Sequence, residues 1–446
     1  MNAVGIDVSK GKSTVAIMRP FGEVVVEPFE VSHTDAELRK LACFLEKLPG
    51  ETRIVMEYTG NYWQPIAKVL HDAGLFVSAV NALLIYKYGN NSIRKGKTDK
   101  LDAVKIANYC LDRWTDLECY IPTDQIRQTL KTCRRQYDQY IRLKVNLKNN
   151  LIALLDGTFP GINPLLKSAP RDTDGHEKWV DFAGKFWHRQ CVCGNSEKAF
   201  ANQYRKWCAK AGYRFIVEKA TAIYSHAGSQ VDTLPMTSAI QCLITHAVAQ
   251  LNMIIETISS VQHEMLTLAS QLPEYPIVMR MFGVGPVLGP QLMEEIGDVR
   301  RFHRKQSLVA FAGVDAPPCQ SGTFESKNRH ISKRGSPRLR KTLFQVMSTI
   351  IQHAPADDPV FQFLDRKRRE GKHYYVYMTA ASNKFLRIYY GTVMAYLEKP
   401  QFHLTDDFYF IFTAAKTRRP ALLYPFLWNY LFMIFMLLDL DSSWQV

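Results

Sequence analysis

The sequence predicts an α/β domain followed by a mostly helical remainder. Short apolar strand segments alternate with helical segments over the first 118 residues, whereas long amphipathic helices dominate after that point. The length of 446 residues is also too great for one ordinary hydrophobic core. We therefore expect an α/β domain over 1–118, a helical linker over 119–275 with an inserted region at about 165–235, a compact basic module over 276–400, and a hydrophobic tail over 401–446.

The order of elements in the first domain narrows the α/β class. Three strand segments come first, "AVGIDVS", "STVAIM" and "EVVVEPFEV". They are followed by a helix at 34–48, a strand at 52–58, a helix at 62–74, a strand at 75–80 and a helix at 97–111, for which Thr98 is the expected N-cap. Three consecutive strands before the first helix are typical of a ribonuclease-H-like sheet. An ordinary doubly wound fold, by contrast, does not begin with three strands in a row.

Two long amphipathic helices are predicted in the linker, at 124–155 and 239–272. They could pair as an antiparallel coiled coil, although a plain helical bundle has the same pattern. The basic module contains a further, aromatic-rich helix at 372–397.

The tail contains 19 residues without a charge, from Pro420 to Leu438, which is close to the shortest length of a membrane span. Its prolines and asparagine argue against a span, and the alternatives are an element that docks on its own protein or an appended tail without a role. The N-terminus has no apolar signal-peptide core, so we expect a cytoplasmic protein that works in the bacterial nucleoid.

The charge balance favours a polyanionic partner. Lys and Arg number 56 against 42 Asp and Glu, which gives a net charge of +14 and makes nucleic acid the first expectation and an anionic membrane surface the second. Nine scattered cysteines are most simply reduced thiols. One cluster, His188 with Cys191, Cys193 and Cys208, leaves zinc open as a minor alternative, because its C-x-C spacing differs from the usual C-x2-C.

Four carboxylates occupy places where a phosphodiester-cleaving enzyme would need them. Asp7 interrupts the first apolar strand, Glu57 ends the fourth, and Asp99 and Asp102 lie three apart on the following helix, on one face. In a ribonuclease-H-like sheet these elements converge at one edge, where the acids would need a divalent cation such as Mg²⁺. The alternatives are a helix-terminus preference for Asp99 and Asp102 and an ordinary strand-end charge for Glu57.

The basic module contains three features of interest. Gly283 and Gly285 lie in a G-x-G-P bend that could direct backbone N–H groups at a phosphate or simply join two helices. The segment 327–341 has seven Lys or Arg residues, among them Lys327, Arg329, Lys333, Arg334, Arg338 and Arg340, and Ser336-Pro337 is a helix-start signal. Ser321, in "APPCQSGTF", lacks a nearby triad, and composition alone favours a turn.

These motifs resemble the insertion sequence 110 family of transposases. The segments "GIDVSK", "MEYTGNYW" and "KTDKLDA" are followed by "GVGPVLGPQLMEEIGDVRRF", "QSLVAFAGVDAPPCQSG" and "ISKRGSPRLRK", in the order found in the family. The resemblance covers about residues 1–398, and the tail and the long 165–235 region are departures from it.

The resemblance implies a fold and a chemistry. It implies a ribonuclease-H-like (RuvC-like) domain similar to Holliday-junction resolvases, a coiled-coil linker and a C-terminal transposase domain. Asp7, Glu57, Asp99 and Asp102 are implied to bind Mg²⁺, and Ser321 is implied to form a covalent phosphoserine link to DNA. It further implies a bridge RNA that pairs with target and donor DNA, and dimers that assemble into a tetramer with composite sites. No small-molecule cofactor is expected.

Two other functions compete with recombination. A resolvase-like nuclease would use the carboxylates and water, with Ser321 structural. A non-enzymatic architectural protein would bind nucleic acid through its basic surface, with the acids only stabilising helices.

Overall fold

The computed structural model describes residues 1–58, 60–88, 98–317, 320–321, 324–325 and 330–398. These residues belong to two compact units, Met1–Gln128 and Thr129–Val446. The uncharged tail run at 420–438 lies outside the described residues, so its role stays a prediction.

The first unit contains a five-stranded mixed sheet. Its strands are β1 (Asn2–Val8), β2 (Lys12–Arg19), β3 (Glu23–Ser32), β4 (Thr52–Glu57) and β5 (Phe76–Val80), in the spatial order β3-β2-β1-β4-β5. The pairs β1–β2 and β2–β3 are antiparallel, whereas β4 is parallel to both β1 and β5. This mixed sheet is consistent with the predicted ribonuclease-H-like class, and β1 lies at its centre.

Helices cover both faces of this sheet. They are α1 (Asp35–Glu46), α2 (Trp63–Asp72), α3 (Ala82–Tyr88) and α4 (Asp99–Asp112). Val4 and Ile6 of β1 pack on the side of α1 and α2, whereas Ala3 packs with Ile106 and Cys110 of α4. The alternation of side chains along a strand therefore assigns odd-numbered residues of β1 to the α4 face.

The second unit is mostly helical. Its elements begin with the long α5 (Gln125–Thr158), whose first residues belong to the first unit, and continue with α6 (Ile162–Leu165), α7 (Lys178–Lys185), α8 (Gln190–Cys193), α9 (Glu197–Ala211), α10 (Val217–Ser229) and α11 (Ser238–Ser270). The two long helices occur where they were predicted, but a coiled-coil pairing between them is not shown. Instead, Leu151 and Leu155 of α5 and Ile244 and Leu251 of α11 line one core.

The inserted region supplies most of that core through aromatic residues. Phe182 stacks on Phe186 with ring centroids 4.7 Å apart, and Phe200 stacks on the buried Tyr204 at 5.8 Å. Such pairs contribute about 0.5–1.5 kcal/mol each beyond their buried area. The region predicted as an insertion is thus a packed set of helices that shares its core with α5 and α11.

The basic module completes the second unit. It contains α12 (Tyr275–Met279), α13 (Leu288–Ile296), α14 (Lys305–Ala312), the short strands β6 (Gln320–Ser321) and β7 (Phe324–Glu325), α15 (Pro337–His353), α16 (Pro359–Arg369) and α17 (Tyr374–Glu398). Helix α17 packs against α14, α15 and α16 and is the centre of the module.

One helix of the described part of the chain, α11, has the length and apolar composition of a membrane span. Its buried residues, including Ala247 and Ile255, are part of the helical core described above. Helix α11 therefore contributes one face to this core, and 28% of its most apolar 18-residue window is buried.

Candidate functional site

Two of the predicted acids lie on neighbouring strands. Asp7 is near the end of β1 and Glu57 is the last residue of β4. The parallel register pairs Gly5 with Val55 and Ile6 with Met56, so the next position places Asp7 beside Glu57. Adjacent strands are about 4.8 Å apart. The structure therefore brings these two carboxylates to one edge of the sheet, as predicted.

Both acids belong to the sheet face that α4 covers. Val55 of β4, like Ala3 of β1, packs with α4 residues, whereas Ile54 and Met56 pack on the opposite side. Because side chains alternate along a strand, Glu57 shares the face of Val55, and Asp7 shares the face of Ala3.

A close backbone approach fixes α4 on this face. A Cβ atom added to Gly5 would lie 2.9 Å from Cα of Ala107, and closer still to the Ala103 carbonyl oxygen and the Ala107 nitrogen. No real Cβ atom tolerates such contacts, so only glycine lets α4 cross β1 here. The crossing lies two residues before Asp7.

The first turn of α4 carries the other two acids. The Thr98 hydroxyl caps the helix by accepting a hydrogen bond from the Leu101 N–H at 3.2 Å, which confirms the predicted N-cap. Asp99 and Asp102 precede the buried Ala103 and Ile106 by four residues each, so they lie on the helix side that faces the sheet.

The position of Lys12 shows which end of β1 the first turn of α4 approaches. Lys12 begins β2, after the short turn that follows β1, and forms a 2.7 Å ion pair with Glu30. Its pKa is raised, mainly by the hydrogen bond and charge of Glu30, with a further contribution from the charge of Asp99. Asp99 therefore lies near the end of the sheet where Asp7 and Glu57 are found. No sequence pattern predicted that Lys12 lies near Asp99.

The donor chemistry of this edge suits a hard cation, because all four side chains offer carboxylate oxygens. Within the described ranges, however, no three His, Cys, Asp or Glu side chains are grouped closely enough to hold one metal ion. The structure thus places the four acids on one face and at one edge without assembling a closed ligand set.

Ser321 lies in a short antiparallel hairpin. Gln320 pairs with Glu325, and Ser321 pairs with Phe324, so Ser321 is the last paired residue of β6. The predicted bend is therefore flanked by a strand pair. The Ser321 side chain lies outside the described part of the structure, as do the whole residues Lys327 and Arg329.

The chain on either side of this hairpin is tied together by backbone hydrogen bonds. The Ser332 N–H donates to the Asp315 carbonyl oxygen at 2.8 Å, and the Lys333 N–H donates to that of Gly313 at 3.1 Å. Lys333 adopts a left-handed conformation with φ of 52°. These contacts hold the exposed side chains of Lys333 and Arg334 on a fixed support.

Ser336 and Pro337 begin α15, as their sequence predicts. The Ser336 hydroxyl donates to Oε2 of Glu295 at 2.6 Å and accepts from the Leu339 N–H at 3.0 Å. The neighbouring Glu294 is buried, and burial, together with the charge of Glu295, raises its pKa to about 8. The start of α15 is thus anchored to α13 through Glu295, next to the buried Glu294.

Two of the predicted phosphate-binding arginines have internal partners. Arg340 donates from Nη1 to the carbonyl oxygens of Ala312 at 2.9 Å and Gly335 at 3.3 Å. Arg338 lies 3.5 Å from Asp138, which also contacts the buried Arg134 at 3.4 Å. These contacts give both residues a structural role that the charge run alone did not indicate.

The glycine bend before α13 serves packing. Gly283 has φ of +78°, and a Cβ atom there would lie 2.8 Å from Cγ1 of Ile350 and 3.1 Å from the Val346 carbonyl oxygen. The carbonyl oxygen of Gly285 accepts from the Gly289 N–H at 2.8 Å, in the first turn of α13. This geometry matches the tight helix–helix turn that was the alternative to a phosphate-binding bend.

The contacts of His188 and Cys208 bear on the minor alternative of a zinc site. Nδ1 of His188 accepts from the Gln190 N–H at 3.2 Å, and Nε2 faces the Leu234 carbonyl oxygen at 3.1 Å. Cys208 is buried beside Tyr204, and burial raises the pKa of its thiol. Both nitrogens of His188 thus have protein partners, and this cluster is accounted for by packing.

Two family models match parts of this chain. A model of DEDD-type IS110 transposases, described as a transposase, matches residues 4–160, and a model described as the transposase IS116/IS110/IS902 family matches residues 275–362. The first contains Asp7, Glu57, Asp99 and Asp102, and the second contains Ser321.

Three curated proteins are similar over shorter or weaker alignments. A putative transposase, y4rJ, of Sinorhizobium fredii is 32% identical over 22% of this chain and 25% of its own length. The transposase for insertion sequence element IS1111A of Coxiella burnetii is 27% identical over 36% of this chain and 42% of its own length. The chain therefore spans less than half the length of these two relatives.

A pilin gene-inverting protein of Moraxella bovis is 22% identical over 76% of this chain and 79% of its own length. The two family models match both the acid-bearing unit and the serine-bearing module, in the order in which the motifs occur. This chain belongs to the IS110 family of transposases.

Proposed function

We propose that this protein is an RNA-guided DNA recombinase that excises and inserts a mobile element. The observation that carries the proposal is the placement of Asp7 and Glu57 side by side on the sheet face covered by α4, whose first turn carries Asp99 and Asp102. Four carboxylates at one edge of a sheet, in a chain of net charge +14, favour chemistry on a phosphodiester.

The four acids would hold Mg²⁺, which would neutralise negative charge on the scissile phosphate. The role of the protein is to hold their carboxylates at a common edge. The crossing of α4 at Gly5 and the cap at Thr98 do this for Asp99 and Asp102.

Ser321 would attack the DNA phosphorus atom. A bond between its Oγ and the phosphorus forms while a phosphorus–oxygen bond of the DNA backbone breaks. The hydroxyl proton leaves Ser321, and the DNA hydroxyl that departs takes up a proton. The phosphodiester linkage is kept as a phosphoserine, so a second DNA strand can be joined without ATP.

The remaining parts of the proposal follow from the family resemblance. A bridge RNA would pair with target and donor DNA, so that the protein contacts mainly the backbone and shape of the nucleic acid while pairing selects the sequence. Dimers would assemble into a tetramer, with acids and serine of one site supplied by different subunits. Such a complex would work in the nucleoid, where its DNA lies.

Protein–DNA adduct formation tests this proposal directly. The full chain is incubated with RNA transcribed from the DNA that flanks its gene, with target and donor DNA and Mg²⁺, and resolved on a denaturing gel. We expect an adduct that Ser321→Ala abolishes and that Ser259→Ala, at an exposed position of α11, preserves. We expect strand exchange to be lost in Asp7→Asn and kept in Asp172→Asn, a change at an exposed acid of the second unit.

Three outcomes would contradict the proposal in whole or in part. Mg²⁺-dependent cleavage that survives Ser321→Ala, without an adduct, would instead support a nuclease that uses water. Binding of nucleic acid without any cleavage would support an architectural protein. Activity that does not depend on added RNA would remove the guide from the proposal.

A further inference from the structure

A groove of 1220 Å³ lies between α15, α16 and α17 in the second unit. Val314 and Ala316, which precede the hairpin of Ser321, and His330 and Ile331, which follow it, form part of its wall. The groove therefore opens at the base of the hairpin.

The charge of the groove is of one sign. Its described lining includes no Asp or Glu, whereas five residues are Lys or Arg, namely Lys333, Arg340, Lys341, Lys384 and Arg387. Arg387 and Lys341 are exposed at its surface. Cations that line a concave surface concentrate a polyanion there, because the surrounding protein of low dielectric focuses their field.

Aromatic rings also line this groove, beside the cations. Tyr375 is 64% exposed, and its ring lies 6.4 Å from that of Phe344. The ammonium of Lys384 lies 5.1 Å from the centre of the Phe363 ring. Phe344 and Phe363 are half-buried, whereas the Tyr375 ring is in contact with water, and such an exposed ring is stabilised by a planar partner that covers it.

Cations that track phosphates, interleaved with rings on which bases stack, are the chemistry of single-strand recognition. A base-paired duplex keeps its bases stacked on one another, and a protein meets mainly its phosphates and groove edges. The exposed ring of Tyr375 therefore favours unpaired nucleotides. The hairpin of Ser321 at the mouth of the groove favours DNA over RNA, because DNA is the strand that the serine would attack.

We propose that this groove binds an unpaired DNA strand next to the phosphate attacked by Ser321. The inference rests on the proposed function for the identity of the strand. Tyr375 and Phe344 would stack on bases, and Lys384 and Arg387 would contact phosphates. In this way the groove would hold a strand opened for exchange close to the nucleophile.

Binding is measured in the Ser321→Ala background, so that no covalent step contributes. The full chain is titrated into a fluorescent single-stranded DNA oligonucleotide, and the same sequence is presented as duplex DNA and as single-stranded RNA. We expect Tyr375→Ala to weaken binding of the single strand by about 5- to 100-fold, in line with the loss of one stacked base, and to change duplex binding far less.

Matched variants separate stacking from folding. Tyr375→Phe keeps the ring and should bind like the parent, whereas Phe21→Ala removes a fully exposed ring from the first unit and should have no effect. Replacing both Lys384 and Arg387 by Gln should reduce the slope of log affinity against log salt by about 0.7 for each phosphate that the groove no longer neutralises.

Three outcomes would overturn the inference: equal loss of duplex and single-strand binding in Tyr375→Ala, preference of the groove for RNA over DNA, or no effect of Tyr375→Ala on any probe. Failure of the proposed function is a separate result, because a chain that forms no adduct can still bind a single strand through Tyr375. An adduct with unchanged strand binding in Tyr375→Ala would reject the groove and retain the recombinase.

Discussion

Substituting Gly5 by alanine tests the placement of α4 on the sheet. The added Cβ atom would lie 2.9 Å from Cα of Ala107 and still closer to the Ala103 carbonyl oxygen, and both are backbone atoms that no rotamer change can move. The helix must therefore shift away from β1, and Asp99 and Asp102 shift with it.

The free energy of this shift follows from two opposing effects. Overpacking against rigid atoms costs about 3 kcal/mol, at the upper end of the usual range. Alanine in place of glycine in a strand stabilises the folded state by about 1 kcal/mol, because it reduces the conformational entropy of the unfolded chain. The net loss is about 2 kcal/mol, which corresponds to a fall of about 8 °C in the melting temperature of a unit of this size.

Thermal unfolding and amide hydrogen exchange in α4 measure the effect, and adduct formation reports on the acids. We expect faster exchange in α4 and reduced adduct yield in Gly5→Ala. Gly228→Ala is the matched control, because its Cβ atom would meet nothing within 4 Å in the last turns of α10. It should stabilise the chain by up to about 1 kcal/mol.

A Gly5→Ala protein with unchanged melting temperature and unchanged exchange in α4 would refute this reasoning. Such a result would mean that α4 does not cross β1 at this residue. The argument that Asp99 and Asp102 approach the edge of Asp7 would then lose its structural basis.

Three further predictions concern charge and capping. Asp138→Asn should destabilise the second unit by about 3 kcal/mol, because it leaves the buried Arg134 without its carboxylate 3.4 Å away; urea unfolding measures the loss, and an unchanged midpoint would contradict it. Glu294 has a pKa of about 8 in the folded protein against a usual 4.5, so its contribution to stability is complete below pH 4.5 and is lost as the pH rises to about 8. The loss of unfolding free energy approaches about 1.4 kcal/mol per pH unit. Glu294→Gln should therefore flatten this part of the curve of stability against pH. Thr98→Ala and Thr34→Ala each remove a helix N-cap at a cost of about 1 kcal/mol, but only the first should reduce adduct formation, since only its helix carries two of the four acids; equal loss of activity in both would contradict the role of α4.

The sheet could be predicted because each strand carries its own signal. The segments around Asp7 and Glu57 are apolar and rich in β-branched residues, and an acid buried in such a run costs free energy unless a cation or hydrogen bonds compensate its charge. Helix α3 was not predicted. It is only seven residues long, and the burial of Ile85 against its neighbours supports it more than its own sequence does.

The importance of Gly5 could not be predicted in the same way. A glycine in a strand has many explanations, and only the crossing of α4, nearly 100 residues later, selects one of them. The position of Lys12 near the acids could not be predicted either, because only the fold brings Glu30 and Asp99 close to it.

The basic segment at 327–341 shows how packing redistributes a charge pattern. The sequence marks every cation in it as a candidate phosphate contact, but Arg340 donates to the carbonyl oxygens of Ala312 and Gly335, and Arg338 pairs with Asp138. Guanidinium groups held in this way lose part of their capacity to bind a phosphate.

Two cations distant in sequence, Lys384 and Arg387, lie instead on the wall of the groove beside aromatic rings. Charge counting therefore predicts the class of partner, whereas the fold determines which cations meet it. If this argument is correct, replacing Lys384 and Arg387 lowers the salt dependence of strand binding more than replacing Arg338 and Arg340 does. Loss of stability is the main consequence expected for the second pair, and the reverse ranking in a salt titration would contradict the argument.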